Sequence, residues 1–98
     1  MRKNFFAYIA SNRNETVFYT GVTNDLVRRM TEHRKKSIPG FTCRYNISKL
    51  LYYEETTDPL SAIEREKQIK KYSRKKKMNL ILKQNPNMHD LFDRIISG

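Results

Sequence analysis

At 98 residues, with 20 Lys+Arg against 10 Asp+Glu, the chain has room for one domain and carries a formal charge of +10. One cysteine rules out an internal disulfide, and Cys43 with two distant histidines, His33 and His89, argues against a zinc cluster. The charge suits a polyanion such as nucleic acid, or an anionic membrane, and names a partner class rather than a reaction.

The N-terminus starts basic at Arg2-Lys3 and turns apolar, but polar residues 11–15 interrupt it too early for a signal peptide's core. No run approaches the ~20 apolar residues of a membrane span. A soluble, cytoplasmic protein with no membrane partner is expected.

Residues 5–10 are aromatic and β-favouring and read as a strand, and residues 16–22 as a second. About five polar residues between them predict an antiparallel hairpin. Alternation puts Phe6, Tyr8 and Ala10 on one face, and Val17, Tyr19 and Gly21 on one face. Whether Tyr8 and Tyr19 share a face depends on the register, which stays open. Gly21 is expected at the strand-to-helix turn, where permissive torsions or a close phosphate require it.

Thr23 or Asn24 is expected to cap a helix running to about residue 36, with Asp25 near its positive end. Residues 37–47 read as a loop and residues 49–54 as a third, buried strand. Asp58-Pro59 begins a helix reaching about residue 71. Another helix spans about 73–83, ahead of Asn85-Pro86, and a last one about 88–96. The order is ββαβααα: a single α+β domain over 1–98, a three-stranded antiparallel sheet flanked by helices. Its core is expected over about 4–84, with a C-terminal helical extension at 87–96.

On the helix after Pro59, Glu66 falls in a stripe with Ala62, Ile63 and Ile69. A carboxylate facing the sheet is costly unless paired or bound to a cation. It is therefore either half of an ion pair or a metal ligand. On the first helix, Arg29 and His33 are neighbours at the edge of the face marked by Leu26 and Met30. Tyr8 and Tyr19, taken singly, read as core or amphipathic strand residues. A phenol titrates near 10, so it accepts a proton only where nearby cations stabilise the phenolate.

Phe6-Ala7-Tyr8, Tyr19-Thr20-Gly21, the run Val22-Thr23-Asn24-Asp25-Leu26-Val27-Arg28-Arg29, Glu32-His33 and Ala62 through Lys70 around Glu66 resemble, in order and spacing, the GIY-YIG nuclease superfamily. The similarity is closest to its short, stand-alone bacterial subfamily. Phe6-Ala7-Tyr8 stands where Gly-Ile-Tyr is usual, and Thr20 occupies an apolar position. The resemblance implies a GIY-YIG-like fold and a metal-dependent endonuclease hydrolysing DNA phosphodiester bonds, in repair or restriction-like defence, cytoplasmic and nucleoid-associated. By position, Glu66 would hold one divalent ion, Mg²⁺ or Mn²⁺. Tyr8 would be general base, directly or through a metal-bound water. Arg29 would steady charge on the phosphate, Tyr19 would hydrogen-bond nearby, and His33 would assist proton transfer or phosphate contact. A late Asn common in the family has two candidates here, Asn79 and Asn85.

Lys67, Lys70, Lys71, Arg74, Lys75, Lys76 and Lys77 form the densest basic run, with Tyr72 interleaved. They are expected to contact the DNA backbone with low sequence specificity, and Tyr72 could stack on an exposed base. The alternative reading is a non-catalytic basic DNA- or RNA-binding protein that keeps the fold. A homodimer or a protein partner stays open.

Overall fold

A computed structural model describes residues 3–97. Three antiparallel strands, β1 (Phe5–Ser11), β2 (Phe18–Thr23) and β3 (Lys49–Thr56), form one sheet in the order β2-β1-β3. Five helices surround it: α1 (Leu26–Lys35), α2 (Phe41–Arg44), α3 (Pro59–Lys70), α4 (Arg74–Gln84) and α5 (Phe92–Ser97). This is the expected α+β architecture with one addition, α2, inside the stretch read as a loop. The helix starts at Gly40, whose φ of 122° is open to glycine and strained for other residues. Buried Thr42 and Ile47 hold the turn against the domain.

Asn12 sets the hairpin register. Its Oδ1 accepts from Thr16 N at 2.9 Å and from Val17 N at 3.0 Å, and Glu15 takes a left-handed φ of 55°. Tyr8 then opposes Gly21, and Ala10 opposes Tyr19. Tyr8 and Tyr19 therefore share a face, which settles the open register.

Each face of the sheet carries its own core. Tyr8, Ala10 and Leu50 pack with Leu26 and Met30 of α1 and with Leu91. Ile9, Leu51 and Tyr52 pack with Ile69 of α3 and Ile81 of α4. Leu91 joins the first core, so the C-terminal segment packs on the domain through it. Asn85 fastens it: Nδ2 donates to Leu51 O at 3.1 Å and to His89 O at 2.8 Å, and Oδ1 accepts from His89 N at 3.0 Å. That use of its amide gives Asn85 a structural task, and Asn79 is exposed.

Helix ends differ from the expected ones where a side chain outcompetes its neighbours. Asp25 itself, not Thr23 or Asn24, caps α1, accepting from Arg28 N at 3.0 Å. The last helix starts at Phe92 rather than near 88, because Met88 sits at φ 52° and Asp90 accepts from Phe92 N at 3.0 Å. The buried line on α3 runs through Ala62 and Ile69 with Glu66 between, and Ile63 is 40% exposed. A line at i, i+4, i+7 leaves position i+1 turned away, so Ile63 drops out of the stripe. Among the described residues no helix is long and apolar enough to cross a membrane.

Candidate active site

Tyr8, from the centre of β1, is fully buried and aims its hydroxyl at α1. Its oxygen lies 2.9 Å from Nε2 of His33, itself buried. The room for the phenol comes from Gly21. A Cβ there would stand 2.5 Å from the Tyr8 hydroxyl oxygen and 2.6 Å from its Cζ. Gly21 lies within β2, not at a turn, and the space beside it is filled by the Tyr8 phenol.

Tyr19 closes the cluster toward solvent. Its ring centroid lies 6.2 Å from that of Tyr8 and 5.7 Å from that of His33, edge-on to the imidazole. Phe41 of α2 packs outside it at 5.9 Å. Arg29, one turn before His33, has Nε 3.3 Å from Glu32 Oε1. That contact is an ion pair without hydrogen-bond alignment, and Arg29 Nε is buried with no acceptor among the described residues.

Electrostatics separates the two hydrogen-bonded groups. Burial pushes the Tyr8 phenol far above its ordinary value, neighbouring Tyr19 adds to this, and the Arg29 guanidinium offsets part of it. Burial, then the Arg29 charge, lowers His33, with Glu32 opposing. At neutral pH the pair is thus a protonated phenol beside a neutral imidazole. His33 Nδ1 is buried and has no hydrogen-bond partner among the described residues, which leaves the Tyr8 hydroxyl at Nε2 as the neighbour bonded to the ring.

Glu66 is held on α3, which packs against β1 and β2 and contributes Ile69 to the opposite core. Its side chain is 12% exposed, and its recorded partner is Lys70 Nζ at 3.1 Å, an i,i+4 pair. The structure brings Tyr8, Tyr19, Arg29 and His33 together; among the described residues no hydrogen bond or ion pair joins Glu66 to them. Among the described residues no three His, Cys, Asp or Glu group as a metal site. A lone, largely covered carboxylate suits a hard cation that takes its remaining ligands from water and phosphate, as Mg²⁺ does, and does not suit zinc.

The basic run is less uniform than its sequence. Arg74 donates to Thr16 O at 3.2 Å and to Glu15 O, with its guanidinium 4.2 Å over the Phe18 ring. Lys76 Nζ sits 4.2 Å over Tyr72, and burial followed by the charge of Lys70 lowers Lys77. Tyr72 hydroxyl accepts from Arg65, so this residue already holds two cationic partners. Lys67, Lys71 and Lys75 are exposed with no recorded partner among the described residues. Partnerships that escaped sequence reading include Glu32 beside Arg29, visible as an i,i+3 pair, and Arg65 bridging to Glu54 at 2.9 Å, for which spacing gave no signal.

The GIY-YIG catalytic domain, a nuclease-type domain, matches residues 4–79. A UPF0213 protein of Syntrophus aciditrophicus (strain SB) is 39% identical over 87 residues, covering 88% of this chain and 97% of its own length. A UPF0213 protein of Haloquadratum walsbyi is 33% identical over 75 residues, 76% of this chain and 83% of that protein. The solution NMR structure of a UPF0213 protein from Bacillus halodurans superposes with a TM-score of 0.56 at 25% identity, over 89% of this chain and 92% of that one. Motif geometry, family match and structural likeness agree: the chain belongs to the GIY-YIG catalytic domain family and, within it, to the small UPF0213 proteins.

Proposed function

We propose that this protein is a DNA endonuclease using one divalent ion, Mg²⁺ or Mn²⁺, held by Glu66. The observation that carries the reading is the Tyr8–His33 hydrogen bond of 2.9 Å beside an arginine whose Nε lacks a hydrogen-bond acceptor among the described residues. A bound ion would act as a Lewis acid on a phosphate oxygen.

The chain's own residues supply the rest. Tyr8 alone cannot accept a proton at neutral pH, since burial keeps its phenol protonated. Paired with a neutral imidazole it becomes a relay: Tyr8 takes a proton from the attacking water as its own proton passes to His33 Nε2. The oxygen of that water bonds to phosphorus, the ester bond to the leaving oxygen breaks, and solvent protonates that oxygen. Arg29 directs its unused donor at the charge growing on the phosphate, and Tyr19, half-exposed, hydrogen-bonds at the mouth. Lys67, Lys71 and Lys75 contact the DNA backbone, with Lys70 and the partly engaged Lys76 and Lys77 adding to the field and Arg74 chiefly structural. A cytoplasmic, nucleoid-associated role in repair or defence fits this chemistry.

Supercoiled plasmid, branched DNA and single strands incubated with Mg²⁺, Mn²⁺ or EDTA test the reading, with Glu66→Ala and His33→Ala alongside. Metal-dependent cutting is expected to vanish in Glu66→Ala and fall about 10²-fold or more in His33→Ala. No cutting of any substrate, with salt-sensitive binding unchanged in both variants, would replace the enzyme by a DNA- or RNA-binding protein.

A further inference from the structure

Tyr19 is the inner end of a run of aromatic rings that reaches the surface. Phe41 lies 5.9 Å from it with planes 30° apart, and Tyr45 lies 4.6 Å from Phe41. These outer rings are 47% and 39% exposed. Arg44, between them in sequence, holds its guanidinium 5.6 Å from the centre of the Tyr45 ring. Two large aromatics left open to water need a reason, because elsewhere the aromatic rings of this chain are largely covered.

The platform is also built to be rigid. Gly40 starts the short helix, Arg44 N donates to Gly40 O at 2.9 Å and Tyr45 N to Phe41 O at 3.0 Å. Ile47 N donates to Thr42 O at 2.9 Å, and both side chains are buried beneath. The rings are thus presented on an ordered turn anchored in the core.

We propose that Phe41 and Tyr45 form a base-stacking subsite for an unpaired nucleobase of the DNA strand being cut, with Arg44 contacting its phosphate. This rests on the nuclease reading and adds a substrate class to it. Charge selects the occupant: the platform carries an arginine, the chain bears a net charge of +10, and the platform adjoins Tyr19 of the phosphodiester site. A flat ring stacks on any base face without reading sequence. Phe41 lies 5.9 Å from Tyr19, so a base stacked on the platform would lie beside the proposed phosphodiester site. A base paired inside a duplex cannot offer its face to a protein ring. Single strands, flaps and bulges can.

The test uses the full chain in EDTA, so that binding is read apart from cutting. Labelled single-stranded DNA carrying 2-aminopurine, the matching duplex and a single-stranded RNA are titrated by fluorescence polarisation. Phe41→Ala and Tyr45→Ala are expected to weaken single-strand binding about 5- to 150-fold each and to relieve 2-aminopurine quenching. Duplex affinity should change less than about twofold, and Tyr45→Phe should keep the wild-type value. Thermal melts identify any variant that unfolds, in which case Tyr45→Phe and Tyr45→Ser decide the matter. Equal losses on single strand and duplex, or no loss on either, overturn the subsite. Loss on RNA alone overturns its assignment to DNA. A plasmid-cutting assay with Mg²⁺ runs separately: stacking without cutting refutes the nuclease and leaves the subsite as a binding site.

Discussion

Gly21 lacks a side chain at the place where Tyr8 needs the space. A methyl group there would lie 2.5 Å from the phenolic oxygen and 2.6 Å from the nearest ring carbon. Neither neighbour can yield freely, since Tyr8 is fully buried and bonded to His33. Gly21→Ala should therefore cost about 1–3 kcal/mol by overpacking and draw the hydroxyl away from Nε2. Denaturant melts measure the first effect, and turnover of a cut substrate the second. A variant with wild-type stability would show that the strand shifts to make room.

The depressed pKa of His33 gives stability a definite direction with pH. Burial, then Arg29, disfavours its charged form, so the unfolded chain binds more protons below about pH 6.5. The stability this residue contributes is complete above that value and is lost as the pH falls through the folded-state value. Tyr8 and Tyr52 act at the alkaline end. Burial raises both, so stability holds below about pH 10 and is lost as the pH rises beyond it. Guanidinium melts from about pH 5 to 11 should show both declines, with the acid one shallower in His33→Gln. An unchanged acid slope in that variant would remove His33 as its cause.

Thr20 faces the core opposite Tyr8, paired with Ile9, and its hydroxyl is buried without a partner among the described residues. Replacing the hydroxyl by a methyl removes a desolvated donor at almost constant volume. Thr20→Val should stabilise the fold by about 1 kcal/mol and leave cutting unchanged. A destabilised variant would mean that the hydroxyl binds a buried water.

Arg74 and Lys75 adjoin in sequence and differ in task. Arg74→Ala loses the contacts to Glu15 O, Thr16 O and Phe18, and should cost about 1 kcal/mol by freeing the hairpin loop. Lys75→Ala should leave stability within about 0.5 kcal/mol and lower the salt slope of DNA binding by about one. Melts and salt titrations on both variants separate the roles, and identical behaviour would refute the distinction.

What the sequence conveyed depended on how local the cause was. Element types followed from alternation, Pro and caps, and the depth of Glu66 followed from its place between Ala62 and Ile69. Ile63 was misread because one residue's rotation on a helix carries a side chain from core to water. The register needed Asn12, whose side chain takes over two backbone donors of the hairpin loop. The four-residue helix α2 is too short to show a period, and it depends on Gly40 and on burial of Ile47. The Tyr8–His33 bond joins distant segments and emerges only once Gly21 opens space for the phenol.

The sheet's two borders are unequal. Along β3, Leu50 is held by Asp90 Oδ1 at 3.0 Å and by Leu91 N at 2.8 Å, and Tyr53 exchanges two bonds with the Gln84 amide. Along β2, no such bond reaches the backbone of residues 18–22 from outside the sheet among the described residues. Growth of this sheet by an added strand, from a second copy or an extended peptide, therefore has one permitted side. That side is the strand carrying Tyr19 and Gly21, so such an association would lie beside the proposed site.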